Sequence, residues 1–149
     1  KVGFHFYIVY SLITVGQIKN PFLRLSCFQR VLDAGGKFAT VISSRAHVSK
    51  YSEIKTGTIV MHGALINSHA RIGQNTIINS MSLIEHDCVI GDHTHVSTGA
   101  LINGGVLIGD RSFIGSGAII KEGVKIGDDV IIGSGSVIKH NIASGSKIV

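Results

Sequence analysis

The stretch IGQNTIINSMSLIEHDCVIGDHTHVSTGALINGGVLIG, residues 72–109, decides how this chain folds. A branched aliphatic residue returns every six positions, at Ile72, Ile78, Ile84, Ile90, Val96, Ile102 and Ile108. Followed outward, the phase holds without a break from Ile42 to Ile138. Four positions after each aliphatic stands a small or β-branched residue, such as Thr76, Ser82, Cys88, Thr94, Ala100 or Val106, and Ile142 is the bulky exception. Glycine recurs every eighteen residues at Gly73, Gly91, Gly109 and Gly127, and Gly115 and Gly133 repeat that interval.

A period of six fits neither the 3.6-residue turn of an α-helix nor a series of hairpins. It fits short strands wound three to a coil, each coil stacked on the last, so that residues eighteen apart lie one above another. The reading is a mainly β chain: a parallel β-helix over residues 42–149, shaped as a triangular prism. The aliphatic position fills its interior and the small position packs beneath the adjoining strand. Glycine or asparagine is expected to relieve φ strain at the corners.

Residues 1–41 follow another pattern. FHFYIVYSLITV (4–15) contains His5 and Ser11 and lacks a small-residue cleavage site, so it reads as a buried strand rather than a leader peptide, and it is too short to span a membrane. NPFLRLSCFQRVLDAGG (20–36) reads as a helix. Asn20 is its expected N-cap, Pro21 its first residue, Leu25, Phe28, Val31 and Leu32 its apolar face, and Gly35 and Gly36 its stop. KFATVI (37–42) reads as a second strand. Strand, helix, strand is a βαβ-like unit too small to bury both faces of a sheet, and a chain starting at Lys1 is expected to be part of something longer.

Composition narrows the function. At 149 residues and 44% hydrophobic, the chain holds a core of ordinary domain size. The net charge of +5 is spread along the sequence without a basic patch, which suits an anionic small ligand and argues against nucleic acid. Two cysteines, with Cys88 among the small inward residues, fit a reduced cytoplasmic protein without disulfides.

Three segments, EHD at 85–87, HVSTGA at 95–100 and GGVLIG at 104–109, resemble the active-site run of hexapeptide-repeat sugar acyltransferases. These are the bacterial N-acetyltransferases of nucleotide-linked amino sugars and the related sialic acid O-acetyltransferases. ITVGQIKN and GGKFATVISSRAHVS resemble the end of the small α/β domain that precedes the prism in that family and holds the nucleotide sugar. The resemblance implies a left-handed prism, acetyl-CoA as co-substrate, a homotrimer with inter-subunit active sites, and residues 1–41 as a remnant of the nucleotide-sugar domain. It also implies direct transfer to an amino group in surface glycan synthesis, with a sugar hydroxyl as the alternative acceptor.

The chemistry agrees with that resemblance. A thioester is attacked only after the nucleophile loses a proton, and His86 is the natural base, with Asp87 adjoining it to hold its other nitrogen. In the family this neighbour is often glutamate. The resemblance lends Asn79 a supporting role and matches His95 and Gly104 to positions at the acetyl-CoA thioester. Gly104 lies one coil above His86, where its N–H would meet the oxyanion. The cofactor would run past Gly115, Ser116, Gly133 and Ser134. His47, His62, His69, His93 and His140 read as surface or corner residues, and Glu85 as a corner residue. Two other classes compete. A γ-type carbonic-anhydrase-like metalloprotein needs a histidine pair with four residues between, but Gly91 stands at that spacing from His86. A non-catalytic trimeric scaffold would not need the intact EHD. No metal is expected.

Overall fold

The computed structural model describes residues 10–18 and 20–149. Among them, strands of two residues build three parallel sheets of seven, six and five strands. Each strand pairs with the one eighteen residues on, as Leu83 with Leu101 and Ile84 with Ile102. The sheets form the three faces of a prism. The first carries Ile77–Ile78 and His95–Val96, the second Leu83–Ile84 and Leu101–Ile102, and the third Val89–Ile90 and Leu107–Ile108.

Two-residue strands explain the period of six. In each strand one residue points outward and the next inward, and four residues then turn the corner. The inward Ile66, Ile78, Ile84, Val96, Ile102, Ile114, Ile120 and Ile132 are fully buried and stack in one continuous core. Burying each isoleucine contributes roughly 2–3 kcal/mol. Ile102→Ala, in mid-stack, would cost about 2–5 kcal/mol through the cavity it opens. The small positions, from Ala64 to Val130, are equally buried, Cys88 included.

Glycine and Asn75 do take the left-handed backbone at many corners, as expected, and other residue types share the position. The left-handed backbone falls three residues after the inward aliphatic, at Met81, Asp87, His93, Gly99 and Gly105, for example. The eighteen-spaced glycines are not there. Their role is clearance: a Cβ on Gly91 would lie 2.5 Å from the carbonyl carbon of Gly109 on the next coil. Hydroxyls and carboxylates complete the corner between the third and first faces. Thr76 and Thr94 donate to the Gly91 and Gly109 carbonyls at 3.0 and 2.8 Å, while Asp92 and Asp110 Oδ1 accept the N–H of Gln74 and Asp92 at 2.9 and 2.8 Å.

Ile142 is bulky because the last coil is shortened. It bridges to Ile126, and Ile131 pairs with Lys147, both sixteen residues away rather than eighteen.

The N-terminal segment forms β1 (Tyr10–Ser11), α1 (Phe22–Asp33) and β2 (Lys37–Phe38), with β1 and β2 parallel. The strand expected at 4–15 lies outside the described residues up to residue 9. The strand expected at 37–42 divides at Ala39–Thr40: Lys37–Phe38 pairs with β1, and Val41–Ile42 opens the prism against Ile59–Val60. Asn20 does not cap α1. Pro21 occupies the N-cap with no side-chain hydrogen bond, and Pro21 O accepts Leu25 N–H at 3.0 Å. Gly35, at φ +70, ends the helix as expected.

The apolar face of α1 is also different. Leu32 is exposed, whereas Arg24 is buried beside Phe28. The Arg24 guanidinium donates to Ile13 O, Val15 O, Asn75 O and Asn75 Oδ1 at 2.6–2.9 Å, riveting the segment to the prism. Burial pushes its pKa down to about 10, leaving it charged at neutral pH.

Candidate active site

Ile84 is the last inward residue before the corner between the second and third faces, and Glu85, His86 and Asp87 form that corner. Asp87 has φ +60, a region a short polar side chain tolerates. The turn brings its carboxylate beside the preceding imidazole, with His86 Nδ1 2.8 Å from Asp87 Oδ2. A carboxylate only accepts, so Nδ1 donates, and in the neutral ring Nε2 keeps its lone pair. This hydrogen bond holds the His86 pKa above the ordinary histidine value; desolvation opposes it, and the charges of Asp87 and Glu85 add to it.

One coil on, Gly104 stands against the ring. A Cβ there would lie 2.8 Å from both Cε1 and Nε2 of His86. The flanking Asn103 and Gly105 N–H groups bond to Ile120 O and His86 O, whereas the Gly104 N–H has no acceptor among the described residues. A basic ring and an uncommitted backbone donor thus occupy adjacent coils of one corner. An open depression of about 630 Å³ adjoins them, lined by Glu85, His86, Asn103, Gly104, Glu122 and Gly123. Such an arrangement can take a proton from a nucleophile and stabilise the oxyanion its attack creates.

The other predicted residues gather elsewhere. Asn79, Gly115, Ser116, Gly133 and Ser134 line the corner between the first and second faces, where Ser116 Oγ sits 2.9 Å from Ser97 Oγ. His95 points outward from the first face yet is buried beneath the N-terminal segment. Its Nδ1 donates to Gln17 O at 2.7 Å, which leaves Nε2 to accept the Asn79 amide at 3.3 Å. Burial lowers the His95 pKa, the Gln17 carbonyl opposes that, and the Arg24 charge lowers it further. His95 is therefore a neutral Nδ1–H imidazole. Within one chain the full width of the second face separates this group from His86, Asp87 and Gly104.

Glu85 stands at the corner as expected, and Glu122 went unread in the sequence. Glu85 Oε2 accepts Asn67 Nδ2 at 2.7 Å and is thereby oriented, and Glu122 lines the depression two coils from His86. The spacing of 86, 104 and 122 carried the signal for Glu122. Gln17 and Arg24 had none, because no period links residues 10–38 to the prism. Cys88 is buried, and burial pushes its thiol pKa up. Among the described residues no three His, Cys, Asp or Glu side chains converge as a metal site, and no helix is long and apolar enough to cross a membrane.

Residues 69–104 and 105–140 each match the bacterial transferase hexapeptide family (six repeats). The chain thus carries two runs of hexapeptide repeats along its prism. Its prism is the left-handed parallel β-helix of that family. No curated protein matches this hexapeptide-repeat chain in sequence. Solved structures similar to it include three that each align over 87% of the chain. The acetyltransferase domain of PglB from Neisseria gonorrhoeae, in complex with acetyl coenzyme A, is 30% identical, with a TM-score of 0.83 and 63% of its length covered. A perosamine N-acetyltransferase variant from Caulobacter crescentus, in complex with CoA and GDP-perosamine, is 32% identical, with a TM-score of 0.84 and 62% covered. WeeI from Acinetobacter baumannii is 30% identical, with a TM-score of 0.83 and 64% covered. The chain thus spans less than two thirds of the length of each.

Proposed function

We propose that this protein is an acetyl-CoA-dependent acetyltransferase acting on the amino group of a nucleotide-linked amino sugar for surface glycan synthesis. The observation that carries the reading is His86, its Nδ1 held by Asp87 and its ring packed against Gly104, whose own N–H is uncommitted. The similar structures that bind acetyl coenzyme A or GDP-perosamine support the reaction class.

His86 Nε2 removes a proton from the acceptor nitrogen as that nitrogen bonds to the thioester carbonyl carbon. Asp87 stabilises the imidazolium, and the Gly104 N–H faces the oxyanion. When the C–S bond breaks, the imidazolium returns the proton to the thiolate. No covalent enzyme intermediate forms.

The same reading includes a homotrimer with inter-subunit sites. The second face carries an outward apolar ladder of Leu65, Leu83, Leu101, Ile119 and Val137, of which the last three are exposed. That ladder separates the His86 corner from the Asn79, His95, Gly115, Ser116, Gly133 and Ser134 group. A second copy laid on it removes the ladder from water and brings one corner of each copy together. Residues 1–41 are assigned to the end of an α/β nucleotide-sugar-binding domain, supported by the parallel β1–α1–β2 unit. Unbonded Cys27 and Cys88 support a cytoplasmic setting.

The test is release of free coenzyme A from acetyl-CoA with UDP-, GDP- and dTDP-linked amino sugars and free sialic acid as acceptors. Release that depends on one amino sugar, and that His86→Ala abolishes without loss of fold, is expected. Full turnover in that variant removes the mechanism. Absence of acceptor-dependent release removes the reaction.

A further inference from the structure

Two carboxylates share the depression with the base without contributing to its tautomer. Glu85 is fixed through Oε2 by the Asn67 amide and, more weakly, by the His86 N–H at 3.4 Å. It forms no ion pair among the described residues. Glu122 stands two coils above His86 in the same corner, and its nearest cation, Lys121 Nζ, is a loose 3.6 Å away. Both line the depression that receives the acceptor, together with His86, Asn103, Gly104 and Gly123. Asn103 commits one of its two amide N–H donors to Ile120 O, at 2.7 Å. Apart from the Gly104 N–H and the other Asn103 N–H, the side-chain oxygens left over in this depression are acceptors.

We propose that Glu85 and Glu122 select an acceptor that arrives as an ammonium ion, which gives up one proton to solvent before attack and a second to His86 during it, and discriminate against its hydroxyl counterpart. This inference rests on the transferase reading of the same depression. An ammonium group brings three donors and a positive charge to a wall of acceptors, whereas a hydroxyl brings one donor and no charge. Gly104 contributes the clearance, since any side chain there would meet the His86 ring first. The two carboxylates act on binding and His86 on the proton, so their effects separate: Glu122 alters acceptor affinity, while Glu85, beside the imidazole, alters both affinity and the pH dependence of the base.

The experiment measures binding by calorimetry, near neutral pH and without acetyl-CoA. The amino sugar nucleotide established by the release assay, or GDP-perosamine if none is, is compared with its hydroxyl counterpart. The unaltered protein is expected to prefer the amine. Glu122→Gln, which keeps shape and removes charge, should lose about threefold to fivefold of that preference, the range for one exposed charge pair. Glu85→Gln should lose at least as much because its partner Asn67 orients it, and added salt should erode the preference in the unaltered protein. Equal binding of both ligands, or a preference that neither substitution changes, overturns the assignment. A preference that the substitutions abolish in a chain that transfers no acetyl group upholds the carboxylates and refutes the reaction instead.

Discussion

Gly104→Ala isolates the contact between the base and the coil above it. The new Cβ would lie 2.8 Å from His86 Cε1 and Nε2. Carbon contacts settle near 3.5 Å, so the imidazole must retreat by about 0.7 Å. Gly104 is not among the left-handed glycines, so alanine fits the backbone. The ring is mostly solvent-exposed and swings outward at little cost, so stability should change by no more than about 0.5 kcal/mol. Turnover should not be spared. Misplacing a reacting group by this much costs on the order of 10- to 100-fold in kcat. The assay pairs acceptor-dependent coenzyme A release with thermal denaturation of the same preparation. A variant that keeps its full kcat, or one whose lost turnover is matched by a fall in Tm, refutes the view that Gly104 serves the base by clearance.

Asp87→Asn retains a residue that tolerates φ +60 but removes the charge on His86 Nδ1. The partner that raises the His86 pKa is then lost, so the acid limb of the pH–rate profile should move to lower pH while kcat falls at least tenfold. A limb that stays in place would separate Asp87 from the base. Gly91→Ala drives a Cβ into the backbone of Gly109 and Asp110, which cannot rotate away as the His86 ring can, and chemical denaturation should show a loss of about 1–3 kcal/mol or more. Arg24→Met leaves the Ile13, Val15 and Asn75 carbonyls without their buried donor, a local loss of about 3 kcal/mol. Hydrogen exchange should show residues 10–38 unprotected and the prism unaffected, and global unfolding would contradict the separation of the two cores.

The prism was legible because its rule is local and repeated. A two-residue strand with one inward side chain writes the same letter every six positions, and eighteen follows from three faces, so the relation of His86 to Gly104 could be read by counting. The small position at Cys88 and the helix stop at Gly35 were legible for similar reasons. What escaped depends on distance without a period. Arg24 occupies a helical position that ordinarily faces water, and only the docking of α1 onto Asn75 turns it inward. Gln17 reaches His95 across 78 residues by a backbone carbonyl, which leaves no trace in residue identity. The division of KFATVI was hidden because both halves are apolar enough to be strand, and which sheet each joins is decided by partners elsewhere. Corner glycines such as Gly99 and Gly105 were read for their left-handed backbone, but the eighteen-residue series from Gly73 to Gly127 has another cause, the closeness of successive coils.

The fixed stacking of coils makes this chain a ruler. Adjacent parallel strands lie about 4.8 Å apart, so moving a side chain eighteen positions along the sequence translates it by one graduation along the axis without turning it. His86 and Glu122 are two graduations apart, or about 10 Å. Exchanging the pair at 86–87 with the glycines at 104–105 would carry the proton-accepting group one graduation along the same edge. In few folds can the reach between a base and whatever is anchored below it be varied in known steps at constant orientation.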